Sequence, residues 1–155
     1  MATGKAKLSE EAKLKELTYI LDDIPGGVAI YAQRGELYYC LSANKYLSQL
    51  LGVAREKLMG QSAKDLMTKF LAPGEEAHFL KAYQALKNGR TNMSGTYRYK
   101  NMRKNTIVWL HLSGKMLTTP EGEQLFYCSY TNVDKLMKVE KELRETHQMI
   151  KERYV

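Results

Sequence analysis

The sequence is poor in residues that cross-link a chain or anchor it in a membrane. Among 155 residues there are only two cysteines, Cys40 and Cys128, which excludes a disulfide scaffold and a four-cysteine zinc site. No apolar run approaches the roughly 18–20 residues that a membrane-spanning helix needs. Residues 1–16 are charged and lack an apolar core, so we expect no signal peptide, no membrane segment and a cytoplasmic location.

The motifs of common catalytic sites are absent as well. The sequence contains no GxGxxG, GxxxxGK[ST], HExxH, GxSxG or CxxC. Its three histidines, His78, His111 and His147, lie on three different predicted elements without metal-ligand spacing. We therefore predict that the chain is not an enzyme, and that it has no catalytic residues and no metal site.

A third absence is local, because residues 77–120 contain no Asp or Glu. They carry eight of the 24 basic residues, whereas the remainder is nearly balanced with 16 basic and 17 acidic residues, so this segment accounts for the net charge of +7. Such a segment is typical of a solvated face or of a nucleic-acid-binding module. We favour the solvated face, because the charges spread over several elements and no binding motif accompanies them. The alternative predicts an affinity for nucleic acid that falls steeply with salt.

The composition, 44% hydrophobic and 26% charged, is that of a globular protein. The length of 155 residues is that of a single domain. Turn residues and changes of hydrophobic period predict the element boundaries. The predicted helices are 9–24, 45–51, 55–59, 63–70, 73–88 and 135–153. The predicted strands are 28–32, 37–42, 91–100, 106–117 and 124–133. Because strands and helices segregate along the chain, the predicted class is α+β with one five-stranded antiparallel sheet.

Four blocks resemble those of PAS domains from bacterial sensor proteins such as histidine kinases and diguanylate cyclases. Residues 23–30 (DIPGGVAI) resemble the opening of these domains, and Asn44 with LLG and EKLMG resembles the next block. The later blocks are YRY with IVWL at 97–99 and 107–110, and YTNVD with EKEL at 130–134 and 140–143. Two departures are an Asn at 132 in place of the usual Asp, and Lys104-Asn105-Thr106 in place of an Asp-Gly turn.

The resemblance covers about residues 17–145 and implies the PAS architecture, with short helices over one face of the sheet. It divides the chain into an N-terminal flanking helix (1–24), a PAS core (25–133) and a C-terminal signalling helix (134–155). It implies a sensory domain of signal transduction that binds a small ligand or partner and acts on a covalently linked effector domain, as in two-component systems or diguanylate cyclases. Since no effector follows Val155, we expect a fragment of a longer protein.

The residues expected around an interior cavity are apolar or aromatic side chains on the inner faces of the predicted elements. The predicted cofactor-binding residues are Met67, Phe70, His78, Tyr83, Tyr97, Tyr99, Leu110, Leu112 and Cys128, with Met59 and Phe79 beside them. The alternative is that they fill the core and that there is no cofactor. A further alternative is a haem site. His78 lies eleven residues before Gly89, and this position resembles that of the haem-ligating histidine in haem-binding PAS sensors. It implies a gas or redox sensor with His78 as axial ligand.

The residues expected to relay the signal lie on the outer side of the sheet and at its exit. Trp109 falls on the face opposite Val108 and Leu110, so we expect the N-terminal helix or a second subunit to cover it. Asn132 and Asp134 connect the last strand to the C-terminal helix. That helix carries a coiled-coil seam, and a homodimer is the favoured assembly, with a helix folded back on its own domain as the alternative. The seam residues are Leu136, Val139, Leu143, Thr146 and Ile150.

Overall fold

The computed structural model describes residues 16–17 and 19–153, and residues 16–17 and 19–22 are helical. The strands are β1 (Gly27–Arg34), β2 (Leu37–Ala43), β3 (Asn92–Asn101), β4 (Thr106–Thr118) and β5 (Gln124–Asn132). Between β2 and β3 lie α1 (Lys45–Leu51), a short 3-10 turn (Arg55–Lys57), α2 (Ala63–Phe70) and α3 (Glu76–Lys87). The last element is α4 (Asp134–Arg153). The part of the predicted first helix before residue 16 lies outside the described residues.

The five strands form one antiparallel sheet in the order β2-β1-β5-β4-β3. The last three strands are a meander, with Tyr97 opposite Leu110 and Leu112 opposite Tyr130. The first hairpin joins the meander through β1, whose Gly27 lies opposite Tyr130 of β5. This arrangement confirms the predicted α+β class and the five-stranded antiparallel sheet.

One face of the sheet is buried beneath the helices, because apolar residues occupy alternate positions along the strands. In β4, Val108, Leu110 and Leu112 are buried, while Trp109 between them is only half-buried, as the alternation predicts. The buried residues of α3 are Phe79, Tyr83 and Leu86, as its predicted apolar face requires. The interior of the domain is therefore the layer between the sheet and α1, α2 and α3.

The other face of the sheet carries a smaller apolar cluster on β1 and β5. Leu21, from the N-terminal helical residues, is buried together with Val28 and Ile30 of β1. Leu17 and Tyr127 pack against the same cluster. The N-terminal helical residues therefore cover the β1–β5 part of the outer face.

Asn44 joins the N-terminal helical residues, β1 and α1. Its Oδ1 accepts hydrogen bonds from the backbone N–H groups of Leu47 and Val28, at 3.0 and 2.9 Å. Its Nδ2 donates to the carbonyl oxygens of Leu21 and Gly26, at 3.0 and 2.8 Å. The predicted helix cap is confirmed by the bond to Leu47. The other three bonds join segments that are distant in sequence, so the side chain also locks the start of the sheet.

α3 begins at Glu76, so the prediction that this helix starts at Pro73 is wrong. Gly74 has a φ of 92°, a left-handed conformation that does not continue into a right-handed helix. Before this turn, the N–H of Ala72 donates to the carbonyl oxygen of Arg98 at 2.9 Å. The chain is thus held against β3 until it turns into the helix.

The β3–β4 turn contains a residue in the left-handed conformation, although it has no Asp-Gly sequence. Asn105 has a φ of 51°, a conformation that Asn tolerates better than most residues. Asn101, buried at the end of β3, accepts hydrogen bonds at its Oδ1 from the N–H groups of Arg103 and Lys104, at 3.1 and 3.0 Å. Its Nδ2 donates to the carbonyl oxygen of Leu50 at 3.1 Å, which ties the turn to α1.

Candidate functional site

The interior is lined by apolar side chains and by the hydroxyl groups of several tyrosines. Tyr31 on β1 and Tyr130 on β5 have hydroxyl oxygens 3.1 Å apart, so one hydroxyl donates to the other. The hydroxyls of Tyr99 on β3 and Tyr83 on α3 are buried without a hydrogen-bond partner among the described residues. An unpaired buried hydroxyl costs about 1–3 kcal/mol unless water or a ligand supplies the missing bond. These two hydroxyls are therefore available to a ligand.

Two small cavities share the side chains of Tyr31, Met67 and Tyr130 in their walls. Their volumes are about 10 Å³ and about 20 Å³. Six of the nine predicted binding residues line one or both of them: Met67, Phe70, Tyr83, Tyr99, Leu112 and Cys128. Each cavity holds about one water molecule at most. In this arrangement, these residues mainly pack against one another.

The other three predicted binding residues, His78, Tyr97 and Leu110, lie outside both cavities. His78 is exposed on α3, and its ring meets that of Tyr97 edge-on with the centroids 5.0 Å apart. Tyr97 and Leu110 are buried within the packed core. An interior haem bound through His78 does not fit this arrangement, because the imidazole is exposed and both cavities are far smaller than a porphyrin.

Burial keeps the interior hydroxyl and thiol groups protonated. It raises the pKa values of Tyr31, Tyr99 and Tyr130 above the usual value for tyrosine. It raises the pKa of the Cys40 thiol to about 12 and also raises the pKa of Cys128. At neutral pH the tyrosines can therefore donate hydrogen bonds, and the two thiols are not activated as nucleophiles.

The exit from the sheet into α4 is fixed by hydrogen bonds to Trp109. The N–H of Trp109 donates to Oδ1 of Asp134 at 2.8 Å, and its carbonyl oxygen accepts from the N–H of Val133 at 2.9 Å. Oδ1 of Asn132 accepts from the N–H of Asp134 at 2.9 Å, so this side chain serves as an acceptor at the exit from the sheet. Asp134 is the first residue of α4. The structure thus brings together three predicted relay residues, Trp109, Asn132 and Asp134.

Arg98 belongs to this junction, although its alternation with tyrosines along β3 predicts a solvated face. It lies opposite Trp109 in the β3–β4 pairing, and its guanidinium carbon is 5.8 Å from the centroid of the indole ring. Its Nε donates to Oε1 of Glu75 at 2.8 Å, just before α3. The register of the predicted hairpin is a signal that could have placed Arg98 beside Trp109. The contact with Glu75 depends on how α3 packs and has no signal in the sequence.

The outer face of the sheet around Trp109 is only partly covered within the described residues. Trp109 is half-buried, and its neighbour on the same face, Ile107, is 49% exposed. Both ring nitrogens of His111 are hydrogen-bonded: Nδ1 to the hydroxyl of Thr96 at 2.9 Å and Nε2 to the hydroxyl of Ser94 at 3.3 Å. The N-terminal helical residues pack on β1 and β5 instead. A cover over Trp109 and Ile107 by a second subunit therefore stays a prediction.

α4 has no buried residue, so it projects from the domain rather than packing along it. The predicted seam is exposed at all five positions: Leu136, Val139, Leu143, Thr146 and Ile150. Leu136 and Leu143 are 64% and 68% exposed. Thr146, the polar residue of the seam, donates its hydroxyl to the carbonyl oxygen of Glu142 at 2.8 Å. The apolar side chains of the seam are thus free to meet a partner helix.

The remaining candidate features point to no further site. The basic residues of 77–120 lie on α3, in the loop between α3 and β3, on β3, in the β3–β4 turn and on β4. The nucleic-acid alternative therefore rests on composition. Within residues 16–17 and 19–153, no three His, Cys, Asp or Glu side chains are grouped as metal ligands. No helix in the same part of the chain is long and apolar enough to cross a membrane.

Comparison with known proteins identifies the fold through solved structures. No protein-family model matches the chain, and neither does any curated protein. The PAS domain of a protein from Colwellia psychrerythraea is 16% identical with a TM-score of 0.58, and the match covers 79% of this chain and 98% of that one. A sensory box histidine kinase/response regulator from Burkholderia thailandensis is 16% identical with a TM-score of 0.59, covering 81% and 90%.

A further similar structure is an RNA-binding light-oxygen-voltage receptor, 14% identical with a TM-score of 0.69. That match covers 90% of this chain but 38% of the receptor. At such identities the likeness concerns the fold. The strand order, the helices over one face of the sheet and these matches together show that the protein has the fold of PAS domains.

Proposed function

We propose that the protein is a sensory and interaction domain of a signalling protein, which relays a change in its interior to α4. The observation that carries the proposal is the pair of hydrogen bonds between Trp109 and the start of α4, to Asp134 at 2.8 Å and from Val133 at 2.9 Å. Since β4 forms part of the interior wall, a displacement of this strand displaces the first turn of α4 as well.

The alternation of side chains along β4 explains how the two sides of the sheet are connected. Leu110 and Leu112 are buried in the interior, whereas Trp109 lies on the outer face. A ligand or partner that changes the packing of the inner residues therefore moves the backbone to which Asp134 is bonded. Such a ligand acts as a signal because it binds one packing arrangement more tightly than the other.

A second path of contacts supports the same relay. Glu75 stands directly before α3, and its carboxylate accepts a hydrogen bond from Arg98 at 2.8 Å. The guanidinium of Arg98 in turn lies over the ring of Trp109. Because Arg98 contacts both partners, a shift of α3 reaches Trp109 around the edge strand β3 as well as through β4.

Dimerisation through α4 is the second part of the proposal. The exposed apolar residues of α4 recur with the three-four spacing of a coiled-coil seam, and Leu136, Val139 and Leu143 form its first half. A short helix on its own is marginally stable in water. Pairing with α4 of a second copy would cover the seam and convert a displacement at Asp134 into a change of register between the two helices.

The receiver of the signal is expected to be an effector domain linked to α4. The similar solved structures include a sensory box histidine kinase/response regulator and a PAS domain from a two-component sensor histidine kinase, which supports a linked kinase. A diguanylate cyclase effector, a cytoplasmic location and the lack of enzymatic activity stay predictions.

The relay is tested by disturbing the interior and measuring the first turn of α4. In Leu112→Ala, we expect exchange of the Met137 amide, which bonds to the carbonyl oxygen of Val133 at 2.8 Å, to accelerate about five- to tenfold. In an Asp134→Ala background, Leu112→Ala should add a clearly smaller acceleration, because only the bond from Val133 then attaches the helix to β4. Asp134→Asn keeps the Oδ1 acceptor and should preserve the full response. An equal response in all three backgrounds would contradict the relay.

A further inference from the structure

A surface groove of about 140 Å³ lies between α2 and α3. Its walls include Leu80, which is 41% exposed although it is large and apolar. Lys64 and Glu76 also line the groove, so charged groups accompany an apolar wall. The groove is larger than either interior cavity, since the two cavities have volumes of about 10 and 20 Å³.

Three side chains separate this groove from the interior. Met67, Phe79 and Tyr83 line both the groove and the 20 Å³ cavity. Met67 also lines the 10 Å³ cavity, so it borders all three spaces. Methionine is unbranched and changes rotamer readily. A rotation of Met67 can therefore join the groove to the interior without moving a helix or strand.

The chemistry of the walls indicates the class of ligand. Tyr83 is 6% exposed, and its buried hydroxyl has no hydrogen-bond partner within the described part of the chain. Burial raises its pKa, so the hydroxyl is neutral and can donate or accept a hydrogen bond. Among residues 16–17 and 19–153, no Asp, Glu, Lys, Arg or His lines the 20 Å³ cavity, and burying an unpaired ionised group there would be costly.

Size restricts the ligand further. An apolar cavity of about 150 Å³ accepts one benzene ring, which is close to the volume of the groove. The stacked rings of Phe79 and Tyr83, with centroids 6.2 Å apart, offer an aromatic surface beside it. A single aromatic ring therefore matches both the volume and the wall.

We propose that this groove is the outer part of a binding site for a small neutral aromatic molecule with one hydroxyl or ring N–H group. The ring lies against Phe79, displaces Met67 toward the interior and exchanges a hydrogen bond with the hydroxyl of Tyr83. This inference rests on the proposed sensory function and supplies the chemical class of its ligand.

The test uses phenol and its apolar isostere toluene, each titrated into the full chain with the methionine methyl groups observed by NMR. We expect saturable shifts at the Met67 methyl with phenol. Tyr83→Phe should lower the affinity for phenol about fivefold, the value of one net hydrogen bond, and leave that for toluene within about twofold. The absence of saturable binding, or an equal effect of Tyr83→Phe on both probes, would overturn the proposal.

A second pair of variants tests the partition. Met67→Ala should raise the affinity for both probes about fivefold, because it joins the groove to the interior. Leu58→Ala is the matched control, since Leu58 is a buried residue that lines the 10 Å³ cavity but not the groove. Equal gains in the two variants would show that any core cavity suffices, and would overturn the role of Met67.

These binding measurements do not depend on α4, so the two proposals can fail separately. If phenol binds as expected but the response of the Met137 amide to Leu112→Ala is equal in all three Asp134 backgrounds, the site stands and the relay falls. If phenol does not bind while Leu112→Ala still alters exchange at Met137, the relay stands and the site in the groove falls.

Discussion

The backbone N–H of Trp109, in the middle of the outer face, donates a hydrogen bond to Oδ1 of Asp134 over 2.8 Å. The two residues are 25 positions apart, and the bond attaches the first residue of α4 to β4. Trp109 is also the only tryptophan of the chain, so its fluorescence reports on this junction without interference.

Replacing Asp134 should loosen the junction. In Asp134→Ala the Trp109 amide loses its acceptor, and we expect its hydrogen exchange to accelerate about tenfold and the free energy of unfolding to fall by about 1 kcal/mol. Asp134→Asn keeps an oxygen at the same position and should remain close to wild type. Exchange measured by NMR for the Trp109 amide decides the matter, and unchanged exchange in Asp134→Ala would refute the role of this bond.

Replacing Arg98 should alter the surroundings of the indole ring. Arg98→Met removes the charge over Trp109 and the hydrogen bond to Glu75, so we expect a shift in the emission maximum of the tryptophan. Lys100→Met, two residues along the same strand, is the matched control and should leave the emission unchanged. Identical spectra for Arg98→Met and the control would argue against the contact.

Introducing a charge into the exposed seam of α4 should prevent dimerisation. In Leu143→Glu, two carboxylates would meet at the centre of the proposed seam, and we expect native mass spectrometry to find monomer at concentrations where the wild type is dimeric. Lys141→Glu changes charge away from the seam and should keep the dimer. A monomeric wild type, or a dimer that survives Leu143→Glu, would exclude α4 as the interface.

Removing the Asn44 side chain should destabilise the domain strongly. Asn44→Ala deletes four hydrogen bonds, including the one that the buried N–H of Val28 donates, so we expect a loss of about 2–4 kcal/mol in urea unfolding. The carbonyl oxygen of Leu21 keeps one donor, the N–H of Ile24 at 3.2 Å. Asn88→Ala, at the exposed end of α3, should cost less than about 1 kcal/mol. Similar losses in the two variants would show that the buried network contributes little.

Asp22 should make stability depend on acidity. Burial by itself raises the pKa of Asp22, but hydrogen bonds from Arg55 at 2.8 Å and from the N–H of Lys45 at 2.9 Å outweigh it and lower the pKa below 3.8. A carboxyl group with a lowered folded-state pKa stabilises the protein above its unfolded pKa, and this contribution is lost as the pH falls through the folded value. Asp22→Asn should therefore flatten the decline in unfolding free energy between about pH 5 and 2.

The matched control for this prediction is Asp23→Asn, an exposed neighbour in the same turn. Its stability should follow that of the wild type through the acid range. Chemical unfolding at a series of pH values gives the comparison. If the unfolding free energies of the wild type and Asp22→Asn decline equally as the pH falls, the ion pair with Arg55 does not contribute to stability.

The secondary structure could be predicted largely because its signals are local. The helix α2 at residues 63–70 and α1, which Asn44 caps, follow from residues a few positions apart. The apolar seam of α4 follows from the same kind of periodicity, whereas its exposure is seen only in the structure. Pro73 predicts too early a start for α3, because a proline is common in the first turn of a helix. In the structure Gly74 is left-handed and Ala72 is bonded to β3, so the helix begins after both residues.

The candidate site could be predicted only in part. The pattern selects residues that face the interior, and six of the nine line the cavities. This pattern does not show that His78 is exposed or that Met67 borders three separate spaces. Nor does it show that the hydroxyls of Tyr83 and Tyr99 lack hydrogen-bond partners among the described residues. These properties depend on how side chains from different elements fill the same volume.

The sequence by itself determined the α+β class, the five strands, the absence of common catalytic motifs and the apolar seam of α4, since periodicity and turn residues act over short distances. Only the tertiary structure decided the bond between Trp109 and Asp134, the bridge from Glu75 to Arg98, the four contacts of Asn44 and the size of the interior spaces. Each of these depends on the packing of segments that are far apart in the chain, and that packing is set by the whole core.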